Sequence, residues 1–135
     1  MKPECLFCEI LSQPVRLTGF RKIIESNDSF FAIRDNYPVS KYHTLLIPNR
    51  HVTDIFNLYG DETLSLFRIL QRQKFLLSEA DDTITGFNVG FNSGCDAGQT
   101  IEHAHVHLIP RRKDDVDDPI GGIRNVFPGK GNYKI

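Results

Sequence analysis

The sequence predicts an α+β domain built on a mainly antiparallel sheet. Three observations predict it. Strand signals precede a long helical stretch and resume after it. The first two strands are joined by a short, turn-rich connection, which suits antiparallel pairing rather than a helical crossover. Finally, the run His103-Ala104-His105-Val106-His107-Leu108-Ile109 alternates at period two, the pattern of a half-buried strand.

The elements follow in chain order. Ser29-Phe30-Phe31-Ala32-Ile33-Arg34 reads as a strand, stopped by the turn Asp35-Asn36-Tyr37-Pro38. Tyr42 to Ile47 reads as its neighbour, closed by Pro48-Asn49. Thr53 or Asp54 is placed to cap a short helix, and Asp61 a longer one running to about Ala80. In that helix Leu66, Ile69, Leu70 and Leu77 form an apolar stripe that polar Gln73 interrupts, a packing face. Ile84 to Asn92 alternates weakly as a third strand, and the turn-prone loop Ser93-Gly94-Cys95-Asp96-Ala97-Gly98-Gln99 leads into the histidine strand, which Pro110 should end. Beyond Arg112 come an acidic run and a Gly- and Pro-containing tail too poor in apolar residues to fold alone.

With 135 residues, 40% of them hydrophobic and ten Phe, the chain suits one domain with a proper core. A net charge of −1 gives no bulk electrostatic case for nucleic acid or an anionic membrane. No apolar run approaches a membrane span, and Met1-Lys2-Pro3-Glu4-Cys5 lacks a secretory apolar region, so a soluble cytoplasmic protein is expected. The cysteines number three, and Cys5 and Cys8 form a Cys-x-x-Cys pair. That favours metal binding or redox chemistry over a disulfide framework.

The histidine strand carries the chemistry. In extended backbone its three imidazoles share one face, while Ala104, Val106 and Leu108 share the other. Imidazole titrates near neutrality and serves as nucleophile, proton carrier or metal ligand. A helix would scatter residues spaced by two around its axis.

The run Gly98-Gln99-Thr100-Ile101-Glu102-His103-Ala104-His105-Val106-His107-Leu108-Ile109-Pro110-Arg111 resembles the signature of the histidine triad family, His-φ-His-φ-His-φ-φ with φ apolar. Companions extend the resemblance over most of the chain: Cys5-Leu6-Phe7-Cys8, Phe31-Ala32-Ile33-Arg34-Asp35, and His43-Thr44-Leu45-Leu46-Ile47-Pro48 followed by Arg50-His51. It implies a family domain over residues 1–112 with a C-terminal tail over 113–135. The implied fold is a five-stranded antiparallel sheet with two helices, paired into a homodimer with a ten-stranded sheet. Implied chemistry is hydrolysis or transfer of a nucleoside monophosphate held through its α-phosphate. By resemblance His105 is the nucleophile of a nucleotidyl-histidine intermediate, His107 contacts the α-phosphate oxygens, and Thr100 lies near the leaving group. Gln99 joins Thr100 in the entering loop as a nucleotide-binding residue, Asn92 matches an amide on the phosphate chain, and Asp35 an acid on the ribose hydroxyls. The residues alone also allow a turn-forming Asp35, and loop hydrogen bonding for Asn92 and Thr100.

Resemblance to the bacterial-type members implies a structural zinc held by Cys5, Cys8, His51 and His103, a Cys₂His₂ set. Alternatives are a helix-start His51 and a hydrogen-bonded core His103. His43 either supports the triad from the neighbouring strand or is a satisfied buried histidine; Cys95 has no assigned role. The tail from Arg111 to Pro128 resembles that of dinucleoside polyphosphate hydrolases, which favours diadenosine polyphosphates over nucleoside phosphoramidates as substrate class. Arg124 and Lys130 are candidates to meet a polyphosphate chain or ordinary solvated residues. A nucleotide-binding regulatory scaffold with little catalysis is the reading from another class.

Overall fold

The computed structural model describes residues 4–12 and 22–134. A short helix, α1 (Leu6–Ser12), precedes three strands, β1 (Ile23–Ser26), β2 (Phe30–Arg34) and β3 (Thr44–Pro48). Helix α2 (Gly60–Ala80), β4 (Ile84–Gly90) and β5 (Val106–Arg112) follow. The five strands form one sheet in the order β1-β2-β3-β5-β4, with every neighbouring pair antiparallel. This is the predicted α+β class, with two α-helices among the described residues. Among the described residues no helix is long and apolar enough to cross a membrane.

Alternation along the central strands gives the sheet two buried faces. Phe30, Ala32, Leu46, Val106 and Leu108 pack against Leu66, Ile69, Leu70 and Leu77 of α2. Phe31, Ile33, Leu45 and Ile47 turn the other way, onto Phe7 and Ile10 of α1. Each large side chain so buried contributes about 1.5–3 kcal/mol. The polar break in the α2 stripe is accounted for: buried Gln73 accepts from Arg34 Nη1 at 3.0 Å and donates to Glu25 Oε1 at 2.6 Å. A polar side chain is tolerable there because both ends of its amide are used.

Three expected boundaries move. Asp61 lies inside the first turn of α2, whose N-cap is Tyr59; Glu62 reaches back to accept the Tyr59 N–H at 2.8 Å while holding Arg50 at 2.8 and 3.0 Å, so a carboxylate one residue later does the capping. The Arg50 hydrogen bond holds the Glu62 carboxyl below its ordinary range. Tyr42 stands at φ 74°, in the left-handed region, so the second strand starts at Thr44. The histidine strand begins only at Val106, and Pro110 sits within it instead of ending it. Proline is accommodated because β3 pairs with β5 only as far as Leu108; the Pro110 carbonyl on that side accepts from the Ser40 hydroxyl at 2.8 Å, and the missing N–H faces the same gap. Asp54 does cap a short helix, a 3₁₀ turn over Ile55–Asn57.

The tail folds back on the domain. A 3₁₀ turn over Gly122–Val126 lies against β4, where Ile123 approaches Gly90. Arg124 donates to the carbonyls of Lys130 and Gly131, and Asn132 to Asp118.

Candidate active site

His105 stands just before β5, on the α1 face of the sheet, with its ring edge-on to Phe7 at 5.1 Å between centroids. Its Nδ1 lies 3.0 Å from the His103 carbonyl. A carbonyl only accepts, so this contact assigns the ring proton to Nδ1 and leaves the Nε2 lone pair unprotonated. A neutral imidazole fixed in this tautomer is a competent nucleophile. The residue lines a cavity of about 380 Å³.

His107 follows on the same face, opposite Leu45 of β3 and Gly90 of β4. Its Nδ1 is 2.9 Å from His43 Nε2, and the Val39 N–H points at His43 Nδ1 from 3.2 Å. The Val39 donor makes His43 Nδ1 an acceptor. His43 therefore carries its proton on Nε2 and donates to His107 Nδ1, which leaves His107 with its proton on Nε2. The ambiguous His43 thus supports the triad from the next strand. Burial pushes the His107 pKa down to about 4, with the His105 and His43 rings adding to the shift, and burial also lowers that of His43. Both rings are neutral at pH 7. Asp35 completes the group, with Oδ2 3.5 Å from His43 Nε2 and Oδ1 accepting the Tyr37 N–H at 2.8 Å. It forms the turn and lines the cavity as well.

Beside this site lies a second cluster. Cys5, Cys8, His51 and His103 offer ligand atoms that all lie within 4.8 Å of one another. Cys5 Sγ is 3.3 Å from His103 Nδ1; Cys8 Sγ is 3.3 Å from His51 Nδ1 and 3.6 Å from His103 Nδ1. A tetrahedral zinc with ordinary bond lengths needs sulfur–nitrogen edges of about 3.6 Å. Helix α1 supplies the Cys8 sulfur from its first turn, and the chain after β3 supplies His51. His103 Nε2 faces the Pro48 carbonyl at 2.8 Å and must donate to it, so Nδ1 is the lone-pair nitrogen turned to the sulfurs. Burial, opposed by that hydrogen bond, lowers the His103 pKa to about 4, which keeps the ring in its metal-binding neutral form. These four residues fit a metal ion.

A HIT-domain sequence profile matches residues 20–114. The chain belongs to the HIT family. An uncharacterised HIT-like protein of Mycoplasma pneumoniae is 32% identical over 108 residues, 80% of this chain and 72% of that protein. A bis(5'-nucleosyl)-tetraphosphatase (asymmetrical) of Schizosaccharomyces pombe is 35% identical over 81 residues, 60% of this chain and 44% of that enzyme. Among solved structures, a zinc-bound histidine triad protein of Mycobacterium smegmatis superposes with a TM-score of 0.71 at 32% identity, covering 83% of this chain and 78% of that one.

Against this HIT geometry the remaining expected site residues divide. Asn92 and Thr100 line the cavity with Asp35, His105 and His107. Gln99 does not: its amide donates to the Thr53 and Ile101 carbonyls, and its oxygen accepts the Gly94 N–H. It braces the loop that carries Thr100. Arg124 and Lys130 also lie outside the lining. Sequence reasoning missed the apolar wall of the cavity, formed by Leu6, Phe7, Ile33, Leu45 and Ile101. Ile33 and Leu45 are partners across β2 and β3, a pairing that depends on strand register.

Proposed function

We propose that this HIT protein is a nucleotide hydrolase that releases nucleoside monophosphate from dinucleoside polyphosphates through a nucleotidyl-histidine intermediate on His105. The observation that carries the reading is the pair of complementary tautomers: His105 presents a bare Nε2 and His107 a proton on its own Nε2, in one cavity. Attack of His105 Nε2 on the α-phosphorus forms an N–P bond and breaks the bond to the bridging oxygen, which departs with the second nucleoside polyphosphate. The phosphorylated ring is cationic, and its Nδ1–H bond to the His103 carbonyl becomes charge-assisted. His107 donates to a non-bridging oxygen and stabilises charge on the phosphoryl group. Water then attacks phosphorus, the electron pair of the N–P bond returns to His105 Nε2 and restores the neutral ring, and the proton lost by the water passes to solvent as the nucleoside monophosphate leaves. Asp35 accepts from ribose hydroxyls, Asn92 and Thr100 meet the phosphate chain and leaving group, and the apolar wall faces the base.

The Schizosaccharomyces pombe relative supports the substrate class by its own activity. The test is release of AMP from diadenosine tetraphosphate, with adenosine phosphoramidate in parallel. Faster release from the dinucleotide is expected; preference for the phosphoramidate overturns the substrate class, and release from neither overturns the hydrolase.

Zinc is the metal we assign to Cys5, Cys8, His51 and His103, in a structural role, since four protein ligands leave no open position. When bound it supplies a cross-link between α1, the chain after β3 and the start of the histidine segment.

A homodimer completes the reading. Within the described residues β4 pairs with β5 alone, and Val89 and Phe91 at that edge are partly exposed. On the solvent side of α2, Leu64, Phe67 and Phe75 form a stripe 52%, 59% and 60% exposed. An unpaired sheet edge and an exposed apolar stripe are each surfaces that proteins normally cover. Light scattering is expected to give twice the chain mass for wild type and one chain mass for Phe67→Glu; a monomeric wild type at micromolar concentration overturns the assignment.

A further inference from the structure

The connection between β2 and β3 does more than reverse the chain. The Asp35 N–H donates to the His43 carbonyl at 2.9 Å and the His43 N–H to the Ser40 carbonyl at 3.1 Å, while the Val39 N–H sets the His43 ring tautomer. Residues 39 and 40 thus hold both backbone and ring of His43. The turn itself is poorly packed, with Tyr37 83% and Val39 72% exposed, so its height over the sheet must be set by specific bonds. Two such bonds reach β5: Ser40 Oγ to the Pro110 carbonyl at 2.8 Å, and Arg112 Nη2 to the Lys41 carbonyl at 3.2 Å. Pro110 lies on the strand that carries His107, beyond the end of β3, where the ladder offers its carbonyl no donor.

We propose that Ser40 is a positioning residue for His107: its hydroxyl pins the turn to the β5 backbone and so keeps His43 donating to His107 Nδ1 and His107 presenting its Nε2 proton to the cavity. The consequence for rate rests on the hydrolase reading above; the proton arrangement does not. Removal of the hydroxyl frees the turn to shift, the Val39–His43 contact lengthens, and the His43 and His107 tautomers become mixed. A displacement well below bond-breaking scale is enough, because misplacement of about 1 Å can cost about 100-fold in rate.

The experiment compares full-length wild type, Ser40→Ala and Ser40→Thr by ¹⁵N NMR of the histidine rings at pH 7.5 and by steady-state kinetics on diadenosine tetraphosphate. Wild type is expected to show a protonated Nε2 and a bare Nδ1 on His107. Ser40→Ala should mix the two forms and lower kcat about 10- to 100-fold with KM changed less than about twofold, and Ser40→Thr should restore both. Should Ser40→Ala fail to fold, Ser40→Cys, of similar size and weak donor strength, reads the same shift at smaller amplitude. A Ser40→Ala protein that melts earlier yet keeps the wild-type His107 tautomer and kcat overturns the proposal and leaves Ser40 a structural bond. A tautomer shift in a protein whose wild type releases no nucleotide supports the positioning role and removes the hydrolase reading instead.

Discussion

His105→Asn is expected to lose nucleoside monophosphate release by at least about 10³-fold, some 4 kcal/mol of transition-state stabilisation, while the protein stays folded. The asparagine amide retains a donor close to where Nδ1 stood, within reach of the His103 carbonyl that now accepts the imidazole proton at 3.0 Å. What disappears is Nε2, the atom that would bond to phosphorus. Neither of the other two histidines that line the cavity replaces it: His107 presents a proton, and His43 has both nitrogens engaged. Zinc content measured on the same protein should be unchanged, because His105 is not among the four clustered side chains to which zinc is assigned. Loss of zinc together with activity would show that His105 serves a metal, and retained release would move the nucleophile elsewhere.

Cys8→Ser is the second substitution with a large expected effect. Cys8 is buried, and its sulfur approaches both His51 and His103. Serine nearly keeps the volume but replaces a soft thiolate by a hydroxyl, a poor ligand for zinc at neutral pH. Metal binding linked to folding is worth on the order of 10 kcal/mol in zinc-finger peptides that lack other stabilisation. Here the apolar core shares the task, and a loss of several kcal/mol, lowering Tm by about 10 °C or more, is the expected result. Metal analysis should fall from one zinc per chain to near none, and a chelator should bring wild type to the same Tm. Activity should fall as well, since the carbonyl that fixes His105 belongs to His103, a residue of the cluster. An unchanged Tm with zinc absent from both proteins would remove the structural role of the metal.

The parts of this architecture that were legible in the sequence are those in which apolar residues run together or recur at a structural period. A continuous apolar run before a turn marked β2, alternation marked the histidine segment, and the apolar stripe marked α2, down to the break at Gln73. Four-residue β1 and seven-residue α1 went unread, because neither is long enough to complete a pattern; α1 was visible only as a cysteine spacing. Pro110 misled for a different reason. Whether proline interrupts a strand depends on where the neighbouring strand stops, and that is a tertiary fact. Among the residues expected to meet the nucleotide, Asp35, Asn92, Thr100, His105 and His107 line the cavity; Gln99, whose amide meets three loop backbone groups instead, Arg124 and Lys130 do not. The tautomers were out of reach of sequence altogether, since each is set by a backbone group: the His103 and Pro48 carbonyls and the Val39 N–H.

The placement of β5 between β3 and β4 also orders events in time. Among the described residues β4 pairs with β5 alone, and β5 finds β3 only after the intervening α2 and β4 have been made. Loop closure over that much chain is slow compared with forming a helix or a hairpin of neighbours. The β2–β3 hairpin therefore has the means to form early, carrying Asp35 and His43 as an idle half-site. When β5 slots in, it completes the sheet, anchors β4 and delivers His107 in a single step. A chain emerging from synthesis brings His43 and His107 together only as β5 joins the sheet, so the partly folded protein holds no complete site.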